Sequence, residues 1–116
     1  MTIKRLLNDA PFNLLTVTLR GRLACLCPVN DRQDFADVEV TYVPTASLIE
    51  LASFATYLAT FAERHLSHEA ATAEIHAMLN EETGAGCNGF RVVTTWAPVE
   101  GVSCTVVASD LSQSHV

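Results

Sequence analysis

The sequence predicts an α+β domain with the element order ββααββ, a two-layer arrangement of four antiparallel strands with two helices on one face. Two observations predict it. The spacing of apolar residues changes from two to three or four and back to two along the chain. The 116 residues, 49% hydrophobic and 17% charged, are typical of one compact core. We therefore expect one domain over residues 1–116, with a core from about 13 to 109 and loose termini.

The first two predicted strands are half-buried, because apolar and polar side chains alternate along them. They cover residues 13–21 and 37–43, and Pro44 ends the second. Their inward-facing apolar residues are Leu15, Val17, Leu19, Val38, Val40 and Tyr42. The turn residues Gly21 and Pro28 predict a loop of about fourteen residues between the two strands.

Two helices follow. Apolar residues three or four apart predict the first from Leu48 to Phe61, with Thr45 or Ser47 as its cap. Ser67 is expected to cap the second helix, whose first turn carries His68 and Glu69 and which Gly84 and Gly86 end.

The last two predicted strands form a hairpin. Phe90, Val92, Thr94 and Trp96 share one face of the first, a tight turn follows at residues 98–101, and the second runs over 102–108. A sheet of four strands has two open edges, and the remaining chain is too short to cover both. We therefore expect subunits to join edge to edge in a homo-oligomer.

Composition excludes several classes of protein. The net charge of −6, with only seven Lys and Arg residues, argues against broad binding to a nucleic-acid backbone. No segment approaches the roughly twenty apolar residues of a membrane span, and the first residues lack the apolar stretch of a signal peptide. We expect a cytoplasmic protein without a membrane partner, whose four cysteines are free thiols.

One segment carries candidate catalytic groups. Cys27 lies in the loop before the second strand, and Asp34 follows seven residues later. A thiol can attack an electrophilic carbon, and a nearby carboxylate can move the protons. Glu50 and the pair His68-Glu69 form a second cluster, and we expect both clusters to belong to one active site.

These residues resemble a known enzyme family. The matching segments, in order and spacing, are Cys27-Pro28, Gln33-Asp34-Phe35, Tyr42-Val43-Pro44, Glu50, Ser53, Tyr57 and His68-Glu69. The chain resembles the 7-cyano-7-deazaguanine (preQ0) nitrile reductase family of the queuosine pathway from about residue 19 to residue 108. This resemblance implies a tunnelling fold, in which ββααββ units form ring-shaped barrels with active sites between neighbouring subunits.

The chain departs from the family where the cofactor binds. The reductase signature Glu-Ser-Lys-Ser-Leu-Lys-x-Tyr supplies lysines for the phosphates of NADPH, but both lysine positions are alanine here, Ala52 and Ala55. The family motif Pro-Arg-Gly-Gly reads Pro98-Val99-Glu100-Gly101. Each charge-assisted contact to a phosphate contributes about 1.5–3 kcal/mol. We therefore expect that the protein uses no cofactor. If it is a reductase instead, the expected cofactor is NADPH.

In its short length and its missing lysines the chain resembles a related group, the short reductase-like amidinotransferases, which add ammonia to the nitrile of 7-cyano-7-deazaguanine in transfer RNA and form archaeosine. The resemblance to this group implies ammonia-dependent amidination to a formamidine. The alternatives are NADPH-dependent reduction to 7-aminomethyl-7-deazaguanine and non-catalytic binding of a deazapurine. The base can be free or within tRNA or DNA, and the acidic charge balance weakly favours the free base.

The resemblance also implies roles for individual residues. Cys27 attacks the nitrile carbon to give a covalent thioimide, Asp34 carries the thiol proton to the nitrile nitrogen, and His68 moves protons in the second half-reaction. Glu69 accepts hydrogen bonds from the N–H edge of the ring, and Glu50 and Ser53 complete the substrate contacts.

Each assignment has a structural alternative. Without the surrounding pattern, Cys27 is more often a small buried hydrophobe, Asp34 and Glu69 are solvated carboxylates of a loop and a helix start, and His68 is a surface residue. Glu50 is either a ring contact or an interface residue. A zinc site of Cys25, Cys27 and His65 or His68 is disfavoured, since Cys-x-Cys gives poor tetrahedral spread. Cys87 and Cys104, on neighbouring predicted strands, could pair under oxidation, but buried thiols are favoured.

Overall fold

A computed structural model of the chain describes residues 3–10 and 14–111, apart from the side chain of Ala85. A four-stranded antiparallel sheet with the strand order β2-β3-β5-β6 carries two helices, and a short ribbon pairs β1 with β4. The α+β class is confirmed, as is the order ββααββ of the long elements. The elements are β1 (Arg5–Leu7), β2 (Val17–Leu26), β3 (Gln33–Pro44), β4 (Ser47–Ile49), α1 (Leu51–Ala59), α2 (His68–Thr83), a 3-10 turn (Gly84–Gly86), β5 (Cys87–Val99) and β6 (Val102–Ser109).

The long loop predicted after Gly21 is wrong. Gly21 lies within β2 and pairs with Val38 of β3, so the connection is only residues 27–32. A glycine is suited to this position because α1 packs closely on β2: a Cβ atom at Gly21 would lie 2.8 Å from Cδ1 of Leu58. The residue that indicated a turn marks a close approach of helix and strand instead.

The N-terminal segment is ordered, contrary to prediction. Arg5–Leu7 pairs with Ser47–Ile49, and Ile3 is buried in the core with 2% of its surface exposed. The side chain of Asn8 donates a hydrogen bond to the carbonyl of Thr45, 2.8 Å away. Three-residue strands are too short to show periodicity, which is why the sequence did not reveal this ribbon. Residues 1–2, Asn13 and residues 112–116, for which predictions were also made, lie outside the described residues.

The helix ends differ in how well they were predicted. Helix α1 begins after Glu50, whose carboxylate accepts hydrogen bonds from the amides of Ala52 and Ser53, and Ser47 lies in β4 instead of capping it. Ser67 caps α2 as predicted, accepting the amide of Ala70 at 3.0 Å. Gly84, with φ of 54°, ends α2.

The core lies between the sheet and the helices. The inward faces of β3 and β5 supply most of its strand side chains, as the alternation predicted: Ala36, Val38, Val40, Tyr42, Phe90, Val92, Thr94 and Trp96. The opposite face of the sheet carries cross-strand ion pairs, Arg20 with Glu39 and Arg22 with Asp37. Strands β2 and β6 are the outer strands, and edge-to-edge assembly stays a prediction. Neither described helix is long and apolar enough to cross a membrane.

We expect Ile3→Ala to lower the free energy of unfolding by about 2–5 kcal/mol, because it removes a buried aliphatic side chain and leaves a cavity. Urea denaturation at neutral pH measures this. Leu7→Ala is the matched control in the same ribbon, since Leu7 is 82% exposed. Equal and negligible effects of both changes would show that the N-terminal segment is loose after all.

Candidate functional site

The loop that carries Cys27 is a closed turn. The amide of Cys27 donates to the carbonyl of Arg32 at 2.7 Å, and the amide of Asp31 donates to the carbonyl of Cys27 at 3.2 Å. Asp31 has φ of 60°, a left-handed conformation that aspartate tolerates better than most residues. The Cys27 side chain is half-buried. A thiol held on a closed turn in this way keeps a defined position while remaining accessible.

The turn is tied to the segment between the helices. Leu26 exchanges backbone hydrogen bonds with the carbonyl of Arg64 and the amide of Leu66, at 2.9 and 3.1 Å. Nε2 of His65 lies 2.6 Å from Oδ1 of Asp31. These contacts hold the end of β2 against the start of α2, so two distant parts of the sequence build one site.

Asp34 is the most buried charged group of the site, with 3% of its side chain exposed. Its Oδ1 accepts a hydrogen bond from Nε of Arg32 at 2.9 Å, and its Oδ2 lies 3.1 Å from Nε2 of His68. Burial by itself raises the pKa of Asp34, but the hydrogen bonds and charges of Arg32 and His68 outweigh it and hold the pKa below its ordinary value. Asp34 is therefore an ionised carboxylate at neutral pH.

His68 is held by α2 and by the sheet. It follows the capping residue Ser67, and its carbonyl accepts a hydrogen bond from the hydroxyl of Thr72 at 2.8 Å. Its ring stacks on Trp96 of β5, with centroids 4.1 Å apart and planes inclined by 11°. The indole N–H of Trp96 in turn donates to the hydroxyl of Thr94 at 2.8 Å. The imidazole ring is therefore held in the orientation that directs its Nε2 at Asp34.

A cleft of about 350 Å³ borders Asp34, but neither Cys27 nor His68 lines it. Asp34 and Trp96 form part of its wall, and the side chain of Phe35, 54% exposed, lies at its rim. Glu69, next to His68 in the first turn of α2, is also exposed. The arrangement combines a half-buried thiol, an ionised carboxylate, an imidazole and an aromatic surface at one end of the molecule.

Glu50 and Ser53 do not join this group within one chain. Both carboxylate oxygens of Glu50 cap α1, which lowers its pKa, and the hydroxyl of Ser53 bridges the carbonyl of Glu50 and the amide of Lys4. The start of α1 lies beside Tyr42, whose hydroxyl accepts the amide of Ile49. Asp34 is about 26 Å away along the same strand. Within one chain Glu50 and Ser53 therefore lie far from Asp34, and one active site that includes both clusters stays a prediction that requires a neighbouring subunit.

The four cysteines are free thiols, as predicted. Cys25 is fully buried, and burial, together with the nearby Asp34 and Cys27, raises its pKa. Cys87 pairs in register with Pro44, whereas Cys104 pairs with Trp96, about 30 Å further along β5. A disulfide between Cys87 and Cys104 is therefore excluded by distance.

The zinc alternative gains no support from the geometry. His65 and His68 each direct Nε2 at a carboxylate, and Cys25 directs its thiol at the carbonyl of Leu66. Over residues 3–10 and 14–111, no group of three or more His, Cys, Asp and Glu side chains is arranged to hold a metal ion.

Sequence reasoning missed two residues that contact the predicted site residues, Arg32 and Trp96. Arg32 lies two positions before Asp34, a spacing that puts two side chains on the same face of an extended segment. Trp96 is the only tryptophan of the chain. Its position on the same face as Thr94 was predicted, but its stacking on His68 depends on how α2 crosses the sheet, which periodicity does not reveal.

Comparison with known families bears on this geometry. The family model described as QueF-like protein matches residues 33–115. The chain belongs to the QueF-like family. The resemblance to 7-cyano-7-deazaguanine reductases that was noted from the sequence is thereby confirmed.

Three curated relatives of this QueF-like chain are each named NADPH-dependent 7-cyano-7-deazaguanine reductase. The relative from Syntrophobacter fumaroxidans is 34% identical over 112 residues, 94% of this chain and 71% of the relative. That from Aquifex aeolicus is 44% identical over 55 residues, 47% of this chain and 43% of the relative. That from Sulfurimonas denitrificans is 33% identical over 100 residues, 86% of this chain and 77% of the relative.

A solved structure confirms the predicted tunnelling fold. The apo crystal structure of the archaeosine synthase QueF-Like superposes with a TM-score of 0.70 at 23% sequence identity. The match covers 81% of this chain and 91% of that chain. At this identity the comparison establishes the fold, and the chemistry must be argued from the residues of the QueF-like chain itself.

We expect Asp34→Asn to lower the free energy of unfolding at pH 7 by about 1–3 kcal/mol, since it weakens two charge-assisted hydrogen bonds at a buried site. A lowered pKa stabilises the fold above the ordinary carboxyl pKa of about 3.9, and this contribution is lost as the pH falls through the folded value. The difference between the variant and the unsubstituted protein should therefore shrink on acidification.

Denaturant titrations at several pH values measure this difference. Asp37→Asn is the matched control, because Asp37 is 75% exposed in its pair with Arg22. A difference for Asp34→Asn that does not change with pH would contradict an ionised Asp34.

Proposed function

We propose that this protein is an enzyme that converts the nitrile of 7-cyano-7-deazaguanine through a covalent thioimide on Cys27. The observation that carries the proposal is the buried Asp34 carboxylate, held by Arg32 and His68 beside the turn of Cys27. Membership of a family whose curated relatives are named for this nitrile supports the choice of substrate.

The first step needs only the thiol and a proton carrier. The sulfur of Cys27 forms a bond to the nitrile carbon, one carbon–nitrogen π bond breaks, and the nitrogen takes a proton. Asp34 accepts the thiol proton and delivers it to that nitrogen. Nothing leaves, so the adduct weighs as much as the protein and the nitrile together.

The environment of Asp34 suits this relay. Each carboxylate oxygen has two lone pairs, so the bonds to Arg32 and His68 leave acceptor positions for the thiol proton. A carboxyl group with a lowered pKa releases its proton readily once it has been protonated, which favours transfer to the nitrile nitrogen. In the second half-reaction His68, fixed against Trp96, moves protons as the thioimide is consumed.

Glu69 is the proposed partner of the ring. It is exposed beside His68, and a carboxylate can accept hydrogen bonds from the adjacent N–H groups of the deazaguanine edge. Glu50 and Ser53 of the same chain are too far away to help. If they contact the substrate, a neighbouring subunit of a homo-oligomeric ring supplies them, as the family resemblance implies.

We favour ammonia-dependent amidination for the second half-reaction. Ammonia adds to the thioimide carbon, the bond to sulfur breaks, and a formamidine leaves with the Cys27 thiol restored. The support is the surface of α1, where exposed Ala52 and Ala55 replace two family lysines. At the β5–β6 turn, exposed Val99 and Glu100 likewise offer no cation to a phosphate. These positions therefore lack the cations with which the family signature contacts the phosphates of NADPH.

Reduction is the second candidate, and one observation favours it. The Syntrophobacter fumaroxidans protein, named as an NADPH-dependent reductase, is 34% identical over 94% of this chain. In this reaction one hydride displaces sulfur from the thioimide to give an imine, and the thiolate takes a proton from solvent. A second hydride, together with a further proton, gives the aminomethyl base. It requires two NADPH per nitrile, bound by groups other than those of the family signature.

The free base is the proposed form of the substrate. Four arginines pair with carboxylates in the described part of the chain: Arg20, Arg22, Arg32 and Arg64. With seven Lys and Arg in total, few cations remain for the phosphates of tRNA or DNA, which a protein of net charge −6 would also repel.

We expect mixing with 7-cyano-7-deazaguanine to increase the mass of the intact chain by the full mass of the nitrile. Cys27→Ala should abolish the increase, while Cys104→Ala, which removes a half-buried thiol on β6, should retain it. Intact-protein mass spectrometry of each variant mixed with the nitrile measures these mass changes. An adduct that persists in Cys27→Ala would overturn the role of Cys27, and absence of an adduct in the unsubstituted protein would leave only a binding protein.

We expect ammonium, supplied without NADPH, to yield the formamidine base by chromatography and mass spectrometry. NADPH supplied without ammonium should show no substrate-dependent loss of its absorbance. Offering the nitrile as free base and within tRNA distinguishes the two substrates. A substrate-dependent consumption of NADPH would establish the reductase instead, and turnover confined to tRNA would overturn the free-base assignment.

A further inference from the structure

Arg32 connects the two groups on which the proposed chemistry depends. Its backbone carbonyl accepts the amide of Cys27 at 2.7 Å and so closes the turn that carries the thiol. Its side-chain Nε donates to Oδ1 of Asp34 at 2.9 Å. The guanidinium also lies within electrostatic range of the Cys27 thiol. In the described part of the chain, Arg32 alone forms hydrogen bonds with both the Cys27 backbone and the Asp34 carboxylate.

We propose that Arg32 is a positioning residue, which fixes the Asp34 carboxylate relative to the Cys27 thiol so that the proton relay can operate. This inference rests on the proposed function. It goes beyond the residues that the sequence motif supplies, since Arg32 lies between the segments Cys27-Pro28 and Gln33-Asp34-Phe35 and belongs to neither.

The charges around Asp34 come from several elements. Arg32 precedes it on the approach to β3, and His68 faces it from α2. On β2, Cys25 is its register partner and interacts with it electrostatically. Arg22 and Asp37 line the same cleft but pair with each other at 3.2 Å. Arg32 is therefore the one permanently charged cation that contacts Asp34 in the described residues.

Removing this cation has a defined electrostatic consequence. Asp34 stays buried without Arg32, so the desolvation that raises its pKa remains, while the first of the two hydrogen bonds that lower it is lost. The carboxylate is then protonated at a higher pH. Because Oδ1 has lost its hydrogen-bond donor, the carboxylate group can also rotate. The first effect reduces the ionised fraction of Asp34 at acidic pH, and the second reduces the fraction of molecules in which the carboxylate is placed to accept the thiol proton.

A purely structural role predicts a different result. The Arg32 side chain is 39% exposed but the Asp34 side chain is 3% exposed, so the pair can stabilise the fold without taking any part in the reaction. Its loss would then lower the stability and move the titration of Asp34, but it would leave the rate of thioimide formation in the folded protein unchanged. The planar guanidinium also differs from an ammonium group, since it donates from a fixed direction. Arg32→Lys should therefore restore the lowering of the Asp34 pKa more fully than the orientation of the Asp34 carboxylate.

The test compares Arg32→Gln, Arg32→Lys and the control Arg20→Gln, which removes a surface cation 74% exposed in its pair with Glu39. The first measurement is the carboxyl titration of Asp34 by carbon-13 NMR in the Cys27→Ala protein without substrate. The expected midpoint moves to higher pH in Arg32→Gln, moves less in Arg32→Lys and does not move in Arg20→Gln. An unchanged midpoint in folded Arg32→Gln would overturn the role of Arg32.

The second measurement is the rate of thioimide formation against pH. Arg32→Gln should slow it by about 10-fold to 100-fold at neutral pH and move its acidic limb to higher pH. Asp34→Asn alone should slow thioimide formation by about 10²-fold. Adding Arg32→Gln to Asp34→Asn should not slow it further. Additive losses would overturn the inference. Absence of any adduct in the unsubstituted protein would overturn the proposed function, while the NMR titration would still report on Arg32 and Asp34.

Discussion

The structure depends at one end on a single buried charge, the carboxylate of Asp34. Removing a carboxylate from water costs several kcal/mol unless donors replace the lost hydration. Here the donors come from two segments, the turn that ends at Arg32 and the first turn of α2 that carries His68. The sheet and α2 must therefore meet in one arrangement, in which Arg32 bonds to Asp34 and also accepts the backbone amide of the half-buried Cys27.

Features of the fold that are encoded locally were predictable. Alternation along β3 and β5, the capping residue Ser67 and the terminating Gly84 each depend on neighbours within a few residues. Gly21 was misinterpreted because its reason is a contact with Leu58 of α1, far along the chain. The burial of Ile3 likewise depends on the pairing of two strands too short to give a pattern.

The candidate site shows the same division. The motif identified Cys27, Asp34 and His68, of which Asp34 and His68 are in direct contact. Arg32 and Trp96, which hold them, were not identified, because ion pairing and ring stacking depend on the packing of α2 on the sheet. Glu50 and Ser53 stand at family positions, but in this chain their polar atoms serve the cap of α1 and the link to Lys4.

The groups that would form the thioimide and the groups that would decide its fate are physically separate. In the proposed function Asp34, His68 and Cys27 act on the nitrile in either reaction, so their geometry does not distinguish ammonia from hydride. The distinction depends on whether the surface can hold the phosphates of a nicotinamide cofactor. Alanines on α1 and a carboxylate in the β5–β6 turn weaken such a site, while four of the arginines are already paired with carboxylates. A chain can therefore keep the nitrile chemistry of its family and change the second substrate by altering residues that never touch the nitrile.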